Sequence, residues 1–359
     1  MGVMEQNFEE ILAQFDLQGK PVSCRNWGKG HINKSMLVET DTGRRYILQR
    51  INRGVFADVD ALMENIKHVT EHLKRKNPDP RSVLHIITTL DGRLYTQIQG
   101  ECWRVYEYVE NSLCLQSPET DEDFYESAVG FGLFQQQLLD FPAEQLHETI
   151  PNFHNTPLRC QAFHQTMEQD PMVRKKLVPE EIEFALRREE KLGILQAALD
   201  SGALPLRVTH NDTKLNNVLL DVGTRKALCV IDLDTVMPGS SVYDFGDAIR
   251  FGGALVGEDT TDPKTVQLCL SRFRAFTRGY LKACPALSEN ELEMLPMGAW
   301  TMTMECGIRF LTDYLDGDHY YATRRPEQNL DRARSQFALA ADMEKKWNAM
   351  TKIIKEETR

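Results

Sequence analysis

The sequence predicts an α+β protein of two unequal lobes, a small antiparallel-sheet lobe at residues 1–108 and a larger, mainly helical lobe at 109–359. Three observations carry this expectation. Short strand-like runs with a single helix among them fill the first hundred or so residues. Apolar residues at helical spacing dominate from Asp121 onward. One polar stretch, 206–234, interrupts those helices with short strands.

In the first lobe, 21–27, 34–40 and 44–51 read as strands, and Asp41-Thr42-Gly43 is the hairpin turn between the last two. A helix follows, with Val59, Leu62, Ile66, Val69 and Leu73 three and four apart; Asn77-Pro78 and Pro80 end it. Further strands lie around Asp91-Gly92, and the last runs over 103–109. In the second lobe, helices are expected over 121–140, 179–201, 263–283, 288–315 and 326–356. The last aligns Leu330, Ala333, Phe337, Ala340, Trp347 and Ile354, with Pro326 suited to its first turn. Strands are expected at 206–209, 218–221 and 228–231.

Lys and Arg total 42 against 53 Asp and Glu, a net charge of −11. That balance argues against a general binder of nucleic acid or of anionic membrane. No run approaches the roughly 18 apolar residues of a membrane span, and residues 1–15 lack the basic-then-apolar pattern of a secretory signal. The eight cysteines form no C-x-x-C pair, so neither a zinc ribbon nor a dithiol redox site is indicated. They are expected to be reduced, mostly core thiols of a cytoplasmic protein, with no protein partner implied.

The chemistry lies in Val208-Thr-His-Asn-Asp-Thr-Lys-Leu-Asn-Asn-Val-Leu-Leu-Asp221 and Val230-Ile-Asp-Leu-Asp234. So many polar side chains beside apolar strands need pairing or a metal. His210-x-Asp212-x-x-x-x-Asn217, followed after a hairpin by Asp232, is the layout of a phosphoryl-transfer loop. In that layout Asp212 accepts the hydroxyl proton, while Asn217 and Asp232 hold Mg²⁺ against the phosphates of ATP. Mg²⁺ favours oxygen ligands and keeps several waters, which two such side chains suit. A glycosidase-like pair, Asp212 with Asp232 or Asp234, would leave Asn217 without a role.

This loop resembles that of the aminoglycoside phosphotransferase and choline kinase group, which has a bilobal protein-kinase-like fold. More narrowly, seven segments are similar to the N-acetylhexosamine 1-kinases. They are Gly28-Lys-Gly-His-Ile-Asn33, Arg45-Tyr-Ile-Leu-Gln49, Trp103-Arg-Val-Tyr106, residues 207–220, Ile231-Asp-Leu-Asp-Thr235, Tyr243-Asp-Phe-Gly-Asp247 and Met304-Glu-Cys-Gly-Ile-Arg-Phe-Leu311. The resemblance implies transfer of phosphate from ATP, with Mg²⁺, to the anomeric hydroxyl of a small amino-sugar substrate, N-acetylglucosamine or N-acetylgalactosamine. The same chemistry on an aminoglycoside, choline, homoserine or methylthioribose is the nearer alternative. A catalytically silent nucleotide-binding scaffold is the farther one.

By the same resemblance, Gly28 and Gly30 belong to the loop that covers the phosphates, and His31 within it faces phosphate or sugar. Tyr106, Glu107, Tyr108 and Val109 would form the hinge that holds adenine. Arg309 would lie at the sugar pocket, Lys214 beside the transferring group, and His210 and Asp244 would support the loop. Gln49 stands where such folds usually carry a phosphate-pairing lysine. Strand alternation turns the adjacent Arg50 to the opposite face, and Glu64 is then expected to be a solvated helix residue rather than a lysine partner.

Overall fold

The computed structural model describes residues 6–28 and 33–358. It begins with α1 (Gln6–Leu12), β1 (Pro21–Asn26), β2 (Lys34–Thr40) and β3 (Arg45–Ile51). After α2 (Val59–Lys76) come β4 (Ile86–Ile87), β5 (Thr96–Ile98) and β6 (Glu101–Glu107). All pairs in this sheet are antiparallel, in the order β1-β2-β3-β6-β4, with β5 also on β6. The strands flanking Asp91-Gly92 pair with successive stretches of β6, Ile86 opposite Tyr106 and Thr96 opposite Trp103, rather than with each other.

Alternation gives the sheet two faces. Tyr46, Leu48, Trp103 and Val105 meet Ile11, Leu12 and Phe15 on the outer face. Ile51, Cys102 and Tyr106 meet Leu62, Met63 and Ile66 of α2 on the inner one. The sequence-based expectation lacked α1, although Phe8, Ile11, Leu12 and Phe15 have the spacing of one helix face. A seven-residue helix is marginal alone; the sheet beneath α1 holds it.

The rest of the chain runs through β7 (Ser112–Cys114), α3 (Asp121–Gln137), α4 (Thr156–Gln169), α5 (Pro179–Leu186), α6 (Glu189–Leu192) and α7 (Ile194–Asp200). Then come β8 (Arg207–Thr209), β9 (Val218–Asp221), β10 (Ala227–Val230) and β11 (Met237–Gly239). The chain closes with α8 (Ser241–Gly252), α9 (Leu270–Ala283), α10 (Glu289–Asp316), α11 (Gln328–Lys345) and α12 (Trp347–Glu357). Phe131, Phe245, Phe276, Tyr280 and Trp300 form the centre of this helical core.

Three expected helices are divided. The one over 179–201 breaks at Arg187-Arg188 and at Gly193, where Arg188 turns its guanidinium onto Glu344 and the Phe184 carbonyl. The one over 263–283 starts only at Leu270, because Pro263 opens a separate turn capped by Asp262. The one over 326–356 splits at Lys346, whose Nζ reaches Leu268 O and Asp342. Pro326 precedes this helix, whose N-cap is Glu327 at φ 59°. α4 was missed despite its entry signal, Asn155 capping Leu158 N with Pro157 in the first turn. None of the eight cysteines forms a disulfide, but only Cys102, Cys160, Cys229 and Cys284 are buried. Among the described residues, no helix is long and apolar enough to cross a membrane.

Two contacts seat the floor of the site. A Cβ on Gly246 would fall 2.4 Å from Gly298 O, and one on Gly298 2.3 Å from Val242 O, so α8 and α10 touch only because both are glycines. Fully buried Glu291 then fastens α10 to the strands: it accepts from Arg207 Nε (2.5 Å) and Nη2 (2.6 Å), Ser241 Oγ (2.6 Å) and Ser288 N (2.7 Å). Burial alone would raise its carboxyl, but these donors, Arg207 foremost, hold it below the usual carboxylate range. Glu291→Gln should therefore cost about 1–3 kcal/mol in urea unfolding at pH 7, because it takes the carboxylate from the half-buried Arg207 guanidinium. A carboxyl depressed in the folded state stabilises above its unfolded pKa and loses that contribution as pH falls. The gap between wild type and variant should thus narrow below about pH 4.3.

Candidate functional site

β8 pairs with β11, Thr209 opposite Met237, and β9 pairs with β10. These two short ladders lay the segments 210–217 and 231–235 side by side. Ile231 N donates to Asn217 O (2.9 Å), Thr235 Oγ1 to His210 O (2.7 Å) and Asn211 Nδ2 to Thr235 O (2.9 Å). His210 is fully buried. Its Nδ1 accepts from Asp212 N (3.3 Å), so its Nε2 carries the proton that goes to Ile231 O (2.9 Å). Asn211 and Asp232 both have left-handed backbones, φ 63° and 60°. For residues other than glycine this conformation is costly and is kept only where the surroundings impose it.

Three of the expected residues converge here. Asn217 points both amide hydrogens at Asp212, one bond to Oδ2 (3.0 Å) and one to the backbone oxygen (2.8 Å). Lys214 Nζ lies 2.7 Å from Asp212 Oδ1, and both side chains keep partial access to solvent. Burial would raise Asp212, but the Lys214 ammonium, with Arg250 behind it, pulls the carboxyl below its ordinary value. Although Asp232 presents surface to solvent, the protein packed around its carboxyl pushes it up to about 6, helped by the like charges of Asp234 and Asp212.

The loop is braced from α8. Asp244, 1% exposed, accepts from His210 N (2.9 Å), Asn211 N (2.8 Å) and Gln135 Nε2 (2.8 Å). Asp247 accepts from Thr213 N (2.9 Å) and Arg250 Nε (2.8 Å). Sequence reading found Asp244 and missed Asp247, Arg250 and Gln135, whose relevance depends on which helix face meets the loop.

On the sheet side, Gly28 has φ 76° with open space around its Cα; Gly30 and His31 lie outside the described residues. Glu107 N and Tyr108 N donate to His85 O (2.9 Å) and Arg45 O (3.0 Å), while the Val109 N–H has no partner among the described residues. Glu107 also pairs with Arg44 and His85, and the Tyr108 ring lies under Arg45 and edge-on to Trp27. Arg50 pairs outward with Glu101, and Glu64 pairs with His147 at the surface, as alternation and exposure led us to expect. Gln49 Oε1 is taken by Arg104 Nε (3.0 Å) and Nη2 (2.8 Å), and its Nε2 donates to Ser35 Oγ (2.9 Å). Arg104 in turn grips Asp234. Sequence reading assigned Arg104 no role, because an arginine in a strand ordinarily faces water.

Arg309 does not pair with Glu305 one turn earlier on α10. Glu305 goes instead to His154 Nδ1 (2.9 Å) and Thr156 Oγ1 (2.6 Å), and His154 Nε2 reaches Asn211 O (3.2 Å), beside Asp212. The Arg309 guanidinium sits among the rings of Phe153 (5.4 Å), Tyr320 (5.6 Å) and Tyr321 (5.7 Å), with Tyr320 OH 3.3 Å from Nη2. Arg159 is close enough for Arg309 to depress it further, although burial is the larger cause. His154 and the three rings escaped the sequence reading, since three separate segments supply them, Glu305 and the arginine.

The donor set fits a hard divalent cation. Asn217 spends its amide hydrogens on Asp212, which leaves Oδ1 as an acceptor, and the Asp232 carboxyl receives no hydrogen bond among the described residues. The Tyr106 hydroxyl, near Asp232 and Asp234, is likewise buried without a partner among those residues. Among the described residues, no group of three or more His, Cys, Asp or Glu is arranged to hold a metal. Two oxygen ligands suit an ion that arrives with phosphates and keeps its waters.

The chain matches the Phosphotransferase enzyme family over residues 23–269. Among solved structures it is similar to an aminoglycoside phosphotransferase from Alicyclobacillus acidocaldarius, at 14% identity and a TM-score of 0.64 over 100% of this chain and 97% of that one. A microcompartment-associated aminopropanol kinase is similar at 16% identity and TM-score 0.64, over 96% and 98% of the two chains. An amicoumacin kinase in complex with AMP-PNP, Ca²⁺ and Ami is similar at 13% identity and TM-score 0.64, over 94% and 93%. At such identities the likeness is one of fold, the protein-kinase-like α+β arrangement expected from the sequence. Since the family match spans more than half of its residues, the chain belongs to the Phosphotransferase enzyme family.

Proposed function

We propose that the protein transfers the γ-phosphoryl group of ATP to the anomeric hydroxyl of an N-acetylhexosamine, giving the sugar 1-phosphate and ADP. The observation that carries this reading is the meeting of Asp212, Lys214, Asn217 and the 231–235 segment in one braced loop. Asn217 Oδ1 and the Asp232 carboxylate would hold Mg²⁺, which when bound neutralises phosphate charge. The Val109 N–H, without a partner among the described residues, would be the hinge donor for adenine. The Asp212 carboxylate, kept ionised by Lys214, orients the sugar hydroxyl. It takes the proton as the new P–O bond forms and the β,γ-bridging oxygen leaves with the electron pair of the broken bond. The Lys214 ammonium lies where negative charge would build on the transferring group, and such positioning and charge compensation are the main work of phosphoryl transfer.

The acceptor side favours a neutral sugar over a cation. Its wall carries Arg309 and Arg159, and Glu305, the carboxylate beside them, is already bound to His154 and Thr156. A cationic acceptor such as choline or an aminoglycoside would meet like charge, whereas the rings around Arg309 offer flat faces to a pyranose. A radiometric panel with Mg²⁺-ATP tests this directly. N-acetylglucosamine or N-acetylgalactosamine should be labelled and their 1-O-methyl glycosides should not. Equal labelling of the methyl glycosides would remove position one as the acceptor. Preference for choline, an aminoglycoside, homoserine or methylthioribose would keep the chemistry and change the substrate. No turnover with any acceptor would leave a nucleotide-binding scaffold.

A further inference from the structure

We propose that Arg104 is a positioning residue for phosphoryl transfer, and that it takes over the task of a strand lysine by acting through Asp234 rather than on the nucleotide itself. The proposal rests on the kinase reading above. Gln49 and Arg104 are direct cross-strand neighbours of β3 and β6, on the inner face of the sheet. The guanidinium is 1% exposed and stands over the Tyr106 ring at 5.0 Å. Two of its nitrogens converge on Gln49 Oε1, at 3.0 and 2.8 Å. Its Nη2 donates to Oδ2 of the 4%-exposed Asp234 at 2.8 Å, and Nη1 lies 2.6 Å from Oδ1 as an ion pair, Oδ1 having no aligned hydrogen bond among the described residues.

The consequences are geometric. Asp234 sits in the turn Leu233–Thr235, one residue beyond the left-handed Asp232. Asn33, at the far end of the Gly28 loop, also donates to Asp234 Oδ2 and accepts from Asn52 N (2.9 Å). One carboxylate thus ties the metal-facing turn to both the sheet and the phosphate-covering loop. A planar guanidinium can hold a carboxylate and an amide oxygen together in fixed geometry; an ammonium cannot. Position 49 must then be an acceptor, and a lysine there would set its ammonium against the guanidinium. Gln49 is accordingly the residue that orients Arg104, not a weakened phosphate ligand.

The test compares Arg104→Met, Arg104→Lys and the double variant Arg104→Met/Asp234→Leu with wild type. Three quantities are read: thermal unfolding, titration with AMP-PNP in the presence and absence of Mg²⁺, and steady-state kinetics. Arg104→Met should weaken Mg²⁺-dependent AMP-PNP binding by about 10–100-fold, the usual effect of losing a partner behind a metal ligand. Metal-free binding should change little, kcat should fall, and KM for the acceptor should hold. Arg104→Lys should fall between. The double variant leaves no charge stranded and should regain thermal stability without regaining Mg²⁺-dependent affinity. If it regains both, or if Arg104→Met binds Mg²⁺-AMP-PNP as wild type does, Arg104 is only a structural partner and the proposal fails while the kinase reading stands. Wild-type protein that binds no Mg²⁺-AMP-PNP would overturn both.

Discussion

Asp212→Ala is expected to lower kcat by about 10²–10⁴-fold, the range by which a positioned general base accelerates proton transfer. Nucleotide affinity should change little, because the carboxyl pairs with Lys214 rather than with the sheet side, and Asn217 keeps its bond to the Asp212 backbone oxygen. Asp212→Asn is the sharper variant. It keeps an oxygen for the Asn217 amide but has no charge to hold Lys214, so its turnover should stay near that of the alanine variant. The loop should remain folded in both, since its braces run from Asp244, Asp247 and Gln135 to the backbone of 210–213 and to Val208 O. Steady-state kinetics with labelled ATP, beside a nucleotide titration, decides the matter. Near-normal turnover in Asp212→Ala would assign the base elsewhere.

Asp232→Asn is expected to act on the other half of the reaction. Its carboxyl bonds to no side chain among the described residues and is crowded by the like charges of Asp234 and Asp212, which a divalent ion would relieve. Removing the charge should lower Mg²⁺-dependent nucleotide affinity by at least about 10–100-fold, the loss that even an indirect contributor to a metal site produces. Folded stability should be unchanged or slightly raised, because a repulsive neighbour of Asp234 is gone. Calorimetric titration with Mg²⁺-AMP-PNP reads the first effect and thermal unfolding the second. Equal Mg²⁺-AMP-PNP affinity in wild type and variant would exclude Asp232 as a metal ligand.

These two variants probe residues legible in the sequence, and the reason is local. Asp212, Asn217 and Asp232 are set by two short β-ladders whose strands and turn fall within some thirty residues, so spacing alone carries the pattern. The hairpin at Asp41-Thr42-Gly43 and the face of α2 were readable for the same reason: turn chemistry and a 3.6-residue period act within a few residues. The divided helices were not readable, since Arg188 is drawn off by Glu344 and Lys346 by Leu268 O, partners remote in the chain.

By itself, then, the sequence determined the α+β plan, antiparallel sheet first and helices after, and the order of Asp212, Asn217 and Asp232 along the candidate loop, because both follow from nearest-neighbour preferences of the backbone. Only the tertiary structure decided what surrounds that loop. It buried Arg104 between Gln49 and Asp234, gave Glu305 to His154 rather than to Arg309, and ringed Arg309 with Phe153, Tyr320 and Tyr321. A charged side chain reads as solvated until its partners are known, and desolvating it becomes tolerable only when they arrive together from distant segments.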